Sequence, residues 1–253
     1  MEIIQYLCYY LWISLSINIV MFFIAYSKQT DKLTDITYSL TFICLIIVSF
    51  SFSERSLVDL SILALVVAWA LRLGFYLSKR VNKVGKDDRF DKMRPNFFHF
   101  LGFWMLQAIS VFIISLSFLL TYREFGKIPT TLFYFGGIIT AFGLMLETTA
   151  DFQKSKFKNK NPNLFMADGV WKFIRHPNYL GEILFWIGIF LMGHSYISNS
   201  SWIAALGPLW IIILLVKISG IPMLEKKWEQ KYGDMPSFRE YQIRSWRLIP
   251  YLY

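Results

Sequence analysis

The residue types best suited to chemistry lie together in one short segment. It reads Arg175-His176-Pro177-Asn178-Tyr179-Leu180-Gly181-Glu182. Pro177 suits the first turn of a helix and an apolar run follows it, so the segment is predicted to be a helix entrance. The positive end of the helix dipole, with Arg175 and His176 beside it, favours an anion. A helix cap does not need a cation, an imidazole, an amide, a phenol and a carboxylate, so we interpret the segment as a binding site.

A second set of ionisable residues follows helical spacing at the end of an apolar run. Glu147, Asp151, Lys154 and Lys158 are four, three and four positions apart. On an α-helix they share one face. One interpretation is a salt-bridged face on an exposed helix, which contributes about 0.2–0.5 kcal/mol per pair. The alternative is a ligand-binding face, in which the acids bind hydroxyls or amines and the lysines bind phosphates.

A third set also lies on one helical face and consists of Trp69, Arg72, Tyr76, Lys79 and Lys83. Arg72 is well inside an apolar run, about two helical turns from Lys79. One explanation for this position is that the long Arg72 side chain reaches back to the membrane surface. Ionisable groups at membrane depth are costly and usually functional, so we expect Arg72 to take part in binding or catalysis.

Membrane-spanning helices have to position these residues. The chain of 253 residues is 55% hydrophobic and only 17% charged, whereas soluble domains carry about 25% charged residues. Runs without a charge are long enough to span a bilayer, which takes about 17–25 residues. They are 3–26, 36–52, 97–121, 130–146, 183–200 and 201–216, and the run 60–77 contains only Arg72. The sequence predicts an all-α polytopic membrane protein of about seven transmembrane helices, forming a single domain over residues 1–253.

Basic residues indicate the orientation. Of the 26 Lys and Arg, 21 lie in the segments 27–35, 78–96, 148–178 and 221–253, which alternate with the other loops. The N-terminus is therefore predicted outside and the C-terminus in the cytoplasm. The four basic segments suit contact with anionic membrane lipids or with a polyanionic ligand. Because these segments are short loops, we do not expect them to bind nucleic acid. Composition and compact loops favour a bacterial inner membrane over the endoplasmic reticulum, and no metal-binding motif occurs.

The motifs resemble those of membrane reductases related to steroid 5-alpha-reductase and to the sterol C14 and delta-7 reductases. The segment 175–182 is similar to their signature, and Gln153-Lys154-Ser155-Lys156-Phe157-Lys158 is similar to a second sterol reductase segment. Lys231-Tyr232-Gly233, Tyr241 and the ending 247–253 resemble their C-terminal region. Trp69, Arg72-Leu73 and Asp88-Arg89 resemble an uncharacterised, mostly bacterial branch of the superfamily. The similarity runs from about residue 65 to the end of the chain.

This resemblance implies a seven-helix fold that binds NADPH from the cytoplasmic side, mainly through 147–182 and 225–253. The matching cofactor-contacting positions are Asp151, Lys154, Lys158, Arg175, Asn178, Tyr179, Glu182, Tyr232, Tyr241 and Arg247; His176 joins them through its place at the helix entrance. NADPH needs cations for its phosphates, acids and amides for its hydroxyls and carboxamide, and an aromatic surface. No Gly-x-Gly-x-x-Gly follows a strand, so a Rossmann site is excluded.

The implied reaction is reduction of a carbon–carbon double bond in a lipid substrate, either steroid-like or another enone. A hydride reaches one carbon and a proton reaches the other. Steroid reductases have a Tyr three positions before the equivalent of Arg72, where this chain has Trp69, and an indole is a poor acid. We therefore assign Tyr76 and Tyr179 as candidate proton donors, with Arg72 and Glu182 as further catalytic residues.

Two other functions fit parts of the sequence. Isoprenylcysteine and phospholipid methyltransferases share an Arg-His-Pro-x-Tyr-x-Gly element, bind S-adenosylmethionine, and usually have a Glu-Glu pair where this chain has Glu225-Lys226. The segment 153–158 and Glu182 favour the reductase. A transporter or lipid-binding protein would also explain Arg72, but the sequence has no inverted repeat that would favour one.

Overall fold

A computed structural model describes residues 2–84, 90–91, 93–197 and 201–250. Asp88, Arg89 and the final three residues, which carry part of the resemblance, lie outside the described residues. The described parts are helical, without a β-strand, and contain one isolated bridge between Ile174 and Trp246. The all-helical prediction is confirmed. The helices are α1 Ile3–Ser27, α2 Lys32–Ser51, α3 Leu57–Val84, α4 Phe97–Arg123, α5 Thr131–Lys160, α6 Pro177–His194, α7 Ser201–Ile213, α8 Ile221–Tyr232 and α9 Pro236–Arg244.

Local sequence explains where several helices begin. Asn96 caps α4, since its side chain accepts a hydrogen bond from the His99 backbone nitrogen at 3.1 Å. Proline lies in the first turn of α6, α8 and α9, where its missing N–H costs nothing. α7 contains Pro208 and continues into a π-helical turn, Leu214–Ile218.

Six helical segments among the described residues are long and apolar enough to cross a membrane. They are Ile3–Ser27, Lys32–Ser51, Leu57–Lys79, Phe97–Arg123, Thr131–Lys160 and Trp202–Tyr232. These segments indicate an integral multi-pass membrane protein. The apolar helix α6 is not among them, so the count of seven stays a prediction, as do the orientation and the choice of membrane.

The chain divides into two compact units, one formed by 1–130 with 193–207 and the other by 131–192 with 208–253. In the first unit, α1 to α4 pack together around a buried polar network. Gln107 of α4 donates to the Asn18 side chain at 3.0 Å, and Asn18 of α1 donates to Thr41 of α2 at 3.3 Å. Such bonds hold helices together in lipid, where apolar contact alone does not favour association. The prediction of one domain stays a prediction.

In the second unit, α5 and α6 approach closely through glycines. A Cβ on Gly143 would stand 2.6 Å from the Gly181 carbonyl oxygen, and one on Gly188 would stand 2.6 Å from the Gly136 carbonyl oxygen. Small residues at the spacing of one helical face let two backbones touch, as is common in membranes. This contact fixes the entrance of α6 against the polar end of α5.

Candidate functional site

The predicted helix entrance is present and belongs to the second unit. α6 begins at Pro177, directly after Arg175 and His176. The chain before it is held by the C-terminal segment, because the Arg175 backbone nitrogen donates to the Trp246 carbonyl at 2.8 Å and Trp246 donates back to Phe173 at 3.0 Å. The bridge between Ile174 and Trp246 completes this pairing. Two segments that are about 70 residues apart in the sequence, 173–175 and the one around Trp246, therefore form one structural element.

His176 is the most enclosed polar residue of this region, and almost none of its surface is exposed. Its ring lies parallel to the Trp228 ring, with centroids 5.0 Å apart, and to the Tyr179 ring, with centroids 5.5 Å apart. Its Nε2 atom is 2.8 Å from Glu225 Oε1, while its buried Nδ1 atom has no hydrogen-bond partner among the described residues. Burial lowers the pKa of His176, and the hydrogen bond to Glu225 opposes this only in part.

Glu225 of α8 connects the helix entrance to the C-terminal part of the unit. Its Oε1 atom lies 3.5 Å from Arg175 Nε, in addition to the His176 contact. Arg175 also donates from Nη1 to the Gln242 carbonyl at 3.2 Å. The charge of Arg247 acts on the same carboxylate. The predicted residues Arg175, His176 and Arg247 are thus brought together around Glu225.

The two lysines of the α5 face have different surroundings. Lys154 Nζ lies 4.6 Å from the centre of the Trp171 ring and 5.4 Å from that of Trp228, which is a cation–π arrangement. Lys158 Nζ donates to the Tyr232 hydroxyl at 2.8 Å and to the carbonyls of Pro162 and Leu164. An ammonium group has three donors, so Lys158 holds the loop after α5 in this conformation. A phosphate at Lys158 would have to replace one of these acceptors.

An aromatic cluster forms the wall beside the lysines. Phe165 stacks on Tyr241 with ring centroids 5.5 Å apart, and Phe238 and Tyr232 pack against them. The Tyr241 hydroxyl donates to the Trp171 carbonyl at 2.6 Å, and burial raises the pKa of Tyr241. Together with the lysines these residues enclose a cavity of about 20 Å³, lined by Lys154, Lys158, Phe165, Met166, Trp228, Tyr232, Phe238 and Tyr241. This volume is sufficient for about one water molecule.

The acidic end of the α5 face is buried. Glu147 is 3% exposed and Asp151 is 5% exposed, so the interpretation of this face as salt bridges on an exposed helix does not describe its acidic half. Gly181 explains part of the burial, because a Cβ there would stand 2.6 Å from the Glu147 backbone nitrogen. Gly181 is therefore a point at which the backbones of α5 and α6 approach each other closely.

The remaining predicted residues lie in both units. Asn178, Tyr179 and Glu182 are half-buried in the first turns of α6. Arg72 and Tyr76 are half-buried on α3, in the first unit. Trp69 on the same helix is fully buried, with its ring edge-on to Phe42 of α2 at 5.1 Å, so its indole has a packing role.

Three residues of this region were not among the predicted site residues. Glu225 and Trp228 contact His176 directly, and Gln153 accepts a 3.0 Å hydrogen bond from the Val170 backbone nitrogen. Helical spacing could have indicated Glu225 and Trp228. They are three positions apart, and Tyr232 follows after four more, so all three share one face of the polar helix α8. The Gln153 contact depends on Gly169, whose positive φ of 61° suits glycine.

A family model for proteins of unknown function, DUF1295, matches residues 21–245. The chain belongs to the DUF1295 family. The match includes α2 to α9 and the last seven residues of α1, so the helix entrance, the α5 lysines and Glu225 are all part of the DUF1295 region. The searches of curated proteins and of solved structures found no match.

Proposed function

We propose that this protein is a membrane-embedded, NADPH-dependent reductase of a carbon–carbon double bond in a lipid-like substrate such as an enone. The proposal includes seven transmembrane helices, a cytoplasmic cofactor side and a bacterial inner membrane. It draws on the resemblance of the DUF1295 chain to steroid 5-alpha-reductase-like enzymes. The observation that carries it is the buried His176 imidazole, whose Nδ1 atom has no partner among the described residues.

The surroundings of His176 determine which nitrogen carries the proton. Glu225 is acceptor-only when ionised, so the Nε2 atom at 2.8 Å must donate to it. Burial keeps the ring neutral by lowering its pKa, which leaves Nδ1 as a lone-pair acceptor. A buried acceptor without a partner costs roughly 1–3 kcal/mol. A ligand hydroxyl or carboxamide N–H would satisfy it, and NADPH contains both groups.

The neighbouring side chains fit the rest of this cofactor. Lys154, Lys158, Arg175 and Arg247 supply positive charge for phosphates, Asp151 and Glu182 can accept from hydroxyls, and Asn178 can pair with an amide. Trp228, Tyr179, Tyr232 and Tyr241 supply aromatic faces. The cavity of about 20 Å³ is far smaller than a dinucleotide, so binding requires the side chains that close it to move apart.

In the proposed reaction the cofactor supplies the hydride, and the protein's own residues supply the proton and exclude water. NADPH, when bound, would supply the hydride for the electron-poor carbon of the double bond. The electron pair of the double bond then takes a proton at the other carbon, and the Tyr179 hydroxyl is the proposed donor. The parallel rings of His176 and Tyr179 hold that phenol in place, and water restores its proton afterwards. The apolar helices exclude bulk water from the reacting carbons.

Product mass tests this reaction. The protein in lipid nanodiscs would be given enone lipids and NADPH carrying deuterium at the transferred position. The expected product gains two hydrogen atoms, one of them deuterium, and Tyr179→Phe lowers the rate by about 10²-fold or more. Tyr134→Phe on α5, which is 58% exposed, is the matched control and should react like the parent. A product without deuterium would contradict the proposal.

One observation favours a second candidate, an S-adenosylmethionine-dependent methyltransferase. Glu225 occupies the first position of the Glu-Glu pair that those enzymes usually have, and it is bound by His176 and Arg175. In this alternative, the carboxylate would hold the cationic or amino part of the cofactor. The same nanodiscs given S-adenosylmethionine would then yield a product that is one methyl group heavier.

A further inference from the structure

A large cleft in the first unit has no part in the proposed reaction. It has a volume of about 730 Å³, within the range of about 300–1,000 Å³ that is usual for small-molecule sites. It lies where α1 begins and where α2 and α4 end. Its lining residues are Tyr6, Tyr9, Tyr10, Ser49, Phe52, Tyr122, Arg123, Glu124 and Phe125.

Aromatic rings form most of this lining, six residues of the nine. The Tyr6 and Tyr10 rings have centroids 4.8 Å apart at 60°, and the Tyr9 and Tyr10 rings are 5.3 Å apart at 81°. Rings at steep angles present their negative faces in several directions. This arrangement favours an ammonium group, which is attracted to aromatic faces.

The two charged lining residues have opposite signs and are adjacent in sequence. Arg123 ends α4 and Glu124 follows it, and both are half-buried. A purely anionic ligand would meet Glu124 and the negative end of the α4 dipole. A purely cationic ligand would meet Arg123. A zwitterion with an amine close to a phosphate matches both charges and the aromatic rings.

Hydrogen bonds hold the cleft walls in place. The Tyr6 hydroxyl donates to the Leu119 carbonyl at 2.8 Å, and the Tyr122 hydroxyl donates to the Asp59 carbonyl at 2.9 Å. After α4, the Lys127 ammonium donates to the Glu124 carbonyl. Lys127 is itself held by Asp59, with an N–O distance of 3.4 Å. Preformed walls reduce the entropy that a ligand loses on binding.

We propose that this cleft binds the head group of a zwitterionic phospholipid. The amine lies among the tyrosine rings near Glu124, and the phosphate binds Arg123. A lipid fits better than a soluble zwitterion because Phe52 and Phe125 are 68% and 72% exposed and give the cleft an apolar rim. The helices that form it also have the length and hydropathy of membrane spans, which places acyl chains beside this rim.

Native mass spectrometry of the detergent-solubilised protein tests the proposal. It would be titrated with phosphatidylethanolamine, phosphatidylcholine and phosphatidylglycerol that have the same acyl chains. We expect at least one of the zwitterionic lipids to bind about five times more tightly than phosphatidylglycerol. Tyr9→Leu and Glu124→Gln should each weaken that binding by about 2- to 5-fold.

The matched control is Tyr134→Leu on α5, since Tyr134 is 58% exposed and Tyr9 is 45% exposed. It should bind lipid like the parent. Equal binding of all three lipids, or unchanged binding by Glu124→Gln, would overturn the proposal. Glu124→Gln preserves size and decides the matter if Tyr9→Leu does not fold. Soluble glycerophosphoethanolamine that competes at the concentration of the lipid would contradict a lipid ligand.

Discussion

Glu225 Oε1 accepts a hydrogen bond from His176 Nε2 at 2.8 Å, across 49 positions of the sequence. This contact joins the entrance of α6 to α8. It also fixes the imidazole tautomer and leaves Nδ1 as the acceptor on which the proposed cofactor site depends. Substitutions at these two residues therefore test the proposed cofactor site without knowledge of the substrate.

Replacing Glu225 by glutamine should weaken both the fold and the ligand site. The variant leaves the buried Arg175 without its carboxylate and lets the amide donate to His176, which changes the tautomer. We expect the free energy of unfolding to fall by about 1–3 kcal/mol. The matched control is Glu229→Gln on the same helix, because the Glu229 side chain is 45% exposed and that of Glu225 is 17% exposed.

Glu229 pairs with Arg239 at the surface, and such a pair contributes at most about 1 kcal/mol. Thermal unfolding in mild detergent would compare the two variants. Equal midpoints for Glu225→Gln and Glu229→Gln would show that the Glu225 contact has no structural importance.

Stability should depend on pH through His176. Burial lowers the pKa of His176 below its ordinary value of 6.5, so the unfolded chain takes up the proton first. The free energy of unfolding therefore falls as pH drops below 6.5 toward the folded-state pKa, by at most about 1.4 kcal/mol per pH unit. Well above pH 7, where this histidine is neutral in both states, it does not make the free energy of unfolding depend on pH. His176→Phe keeps an aromatic ring and should give a shallower dependence between pH 7 and pH 5, and an identical slope would refute this assignment.

The contact between α5 and α6 should not tolerate a side chain at Gly181. Its Cβ would stand 2.6 Å from the Glu147 backbone nitrogen, so one helix must shift. We expect Gly181→Ala to lower the free energy of unfolding by about 1–3 kcal/mol. Gly137→Ala on α5 is the control, because a Cβ there meets nothing within 4 Å. That variant should be neutral or more stable by up to about 1 kcal/mol.

Lys158 should contribute to the fold as well as to the ligand site. Its ammonium bonds the Tyr232 hydroxyl and two loop carbonyls. Lys158→Met should therefore lower the free energy of unfolding by about 2 kcal/mol even without a ligand. Lys160→Met, at the exposed end of α5, should change it by less than about 0.5 kcal/mol. If the two variants unfold alike, Lys158 is not an anchor of the loop.

Much of the architecture was predictable because lipid restricts the possible structures. Long uncharged runs have to form helices in a bilayer, where each backbone group must bond within its own segment. The start of α6 was predictable from Pro177, because proline fits the first turn. The face formed by Glu147, Asp151, Lys154 and Lys158 followed from helical spacing. These inferences depend on local periodicity.

The partners of His176 could not be predicted in this way. Helical spacing places Glu225 and Trp228 on one face of α8, but no local pattern specifies that this face packs against the entrance of α6. The neighbour of Gly181 could not be predicted for the same reason, because only the structure shows that α5 approaches it. The three hydrogen-bond acceptors of Lys158 come from a loop and a distant helix. Helical spacing therefore predicted that the lysines share a face, but it did not predict their hydrogen-bond partners.

Thermal stabilisation of the purified protein by NADPH, NADH and S-adenosylmethionine, measured in parallel, tests whether the protein is an NADPH-dependent reductase. A ligand at 100 times its dissociation constant adds about 2.7 kcal/mol. We expect the unfolding temperature to shift with NADPH but not with S-adenosylmethionine, and we expect a smaller NADPH shift in Asn178→Ala. A shift with S-adenosylmethionine alone would contradict the reductase and support the methyltransferase.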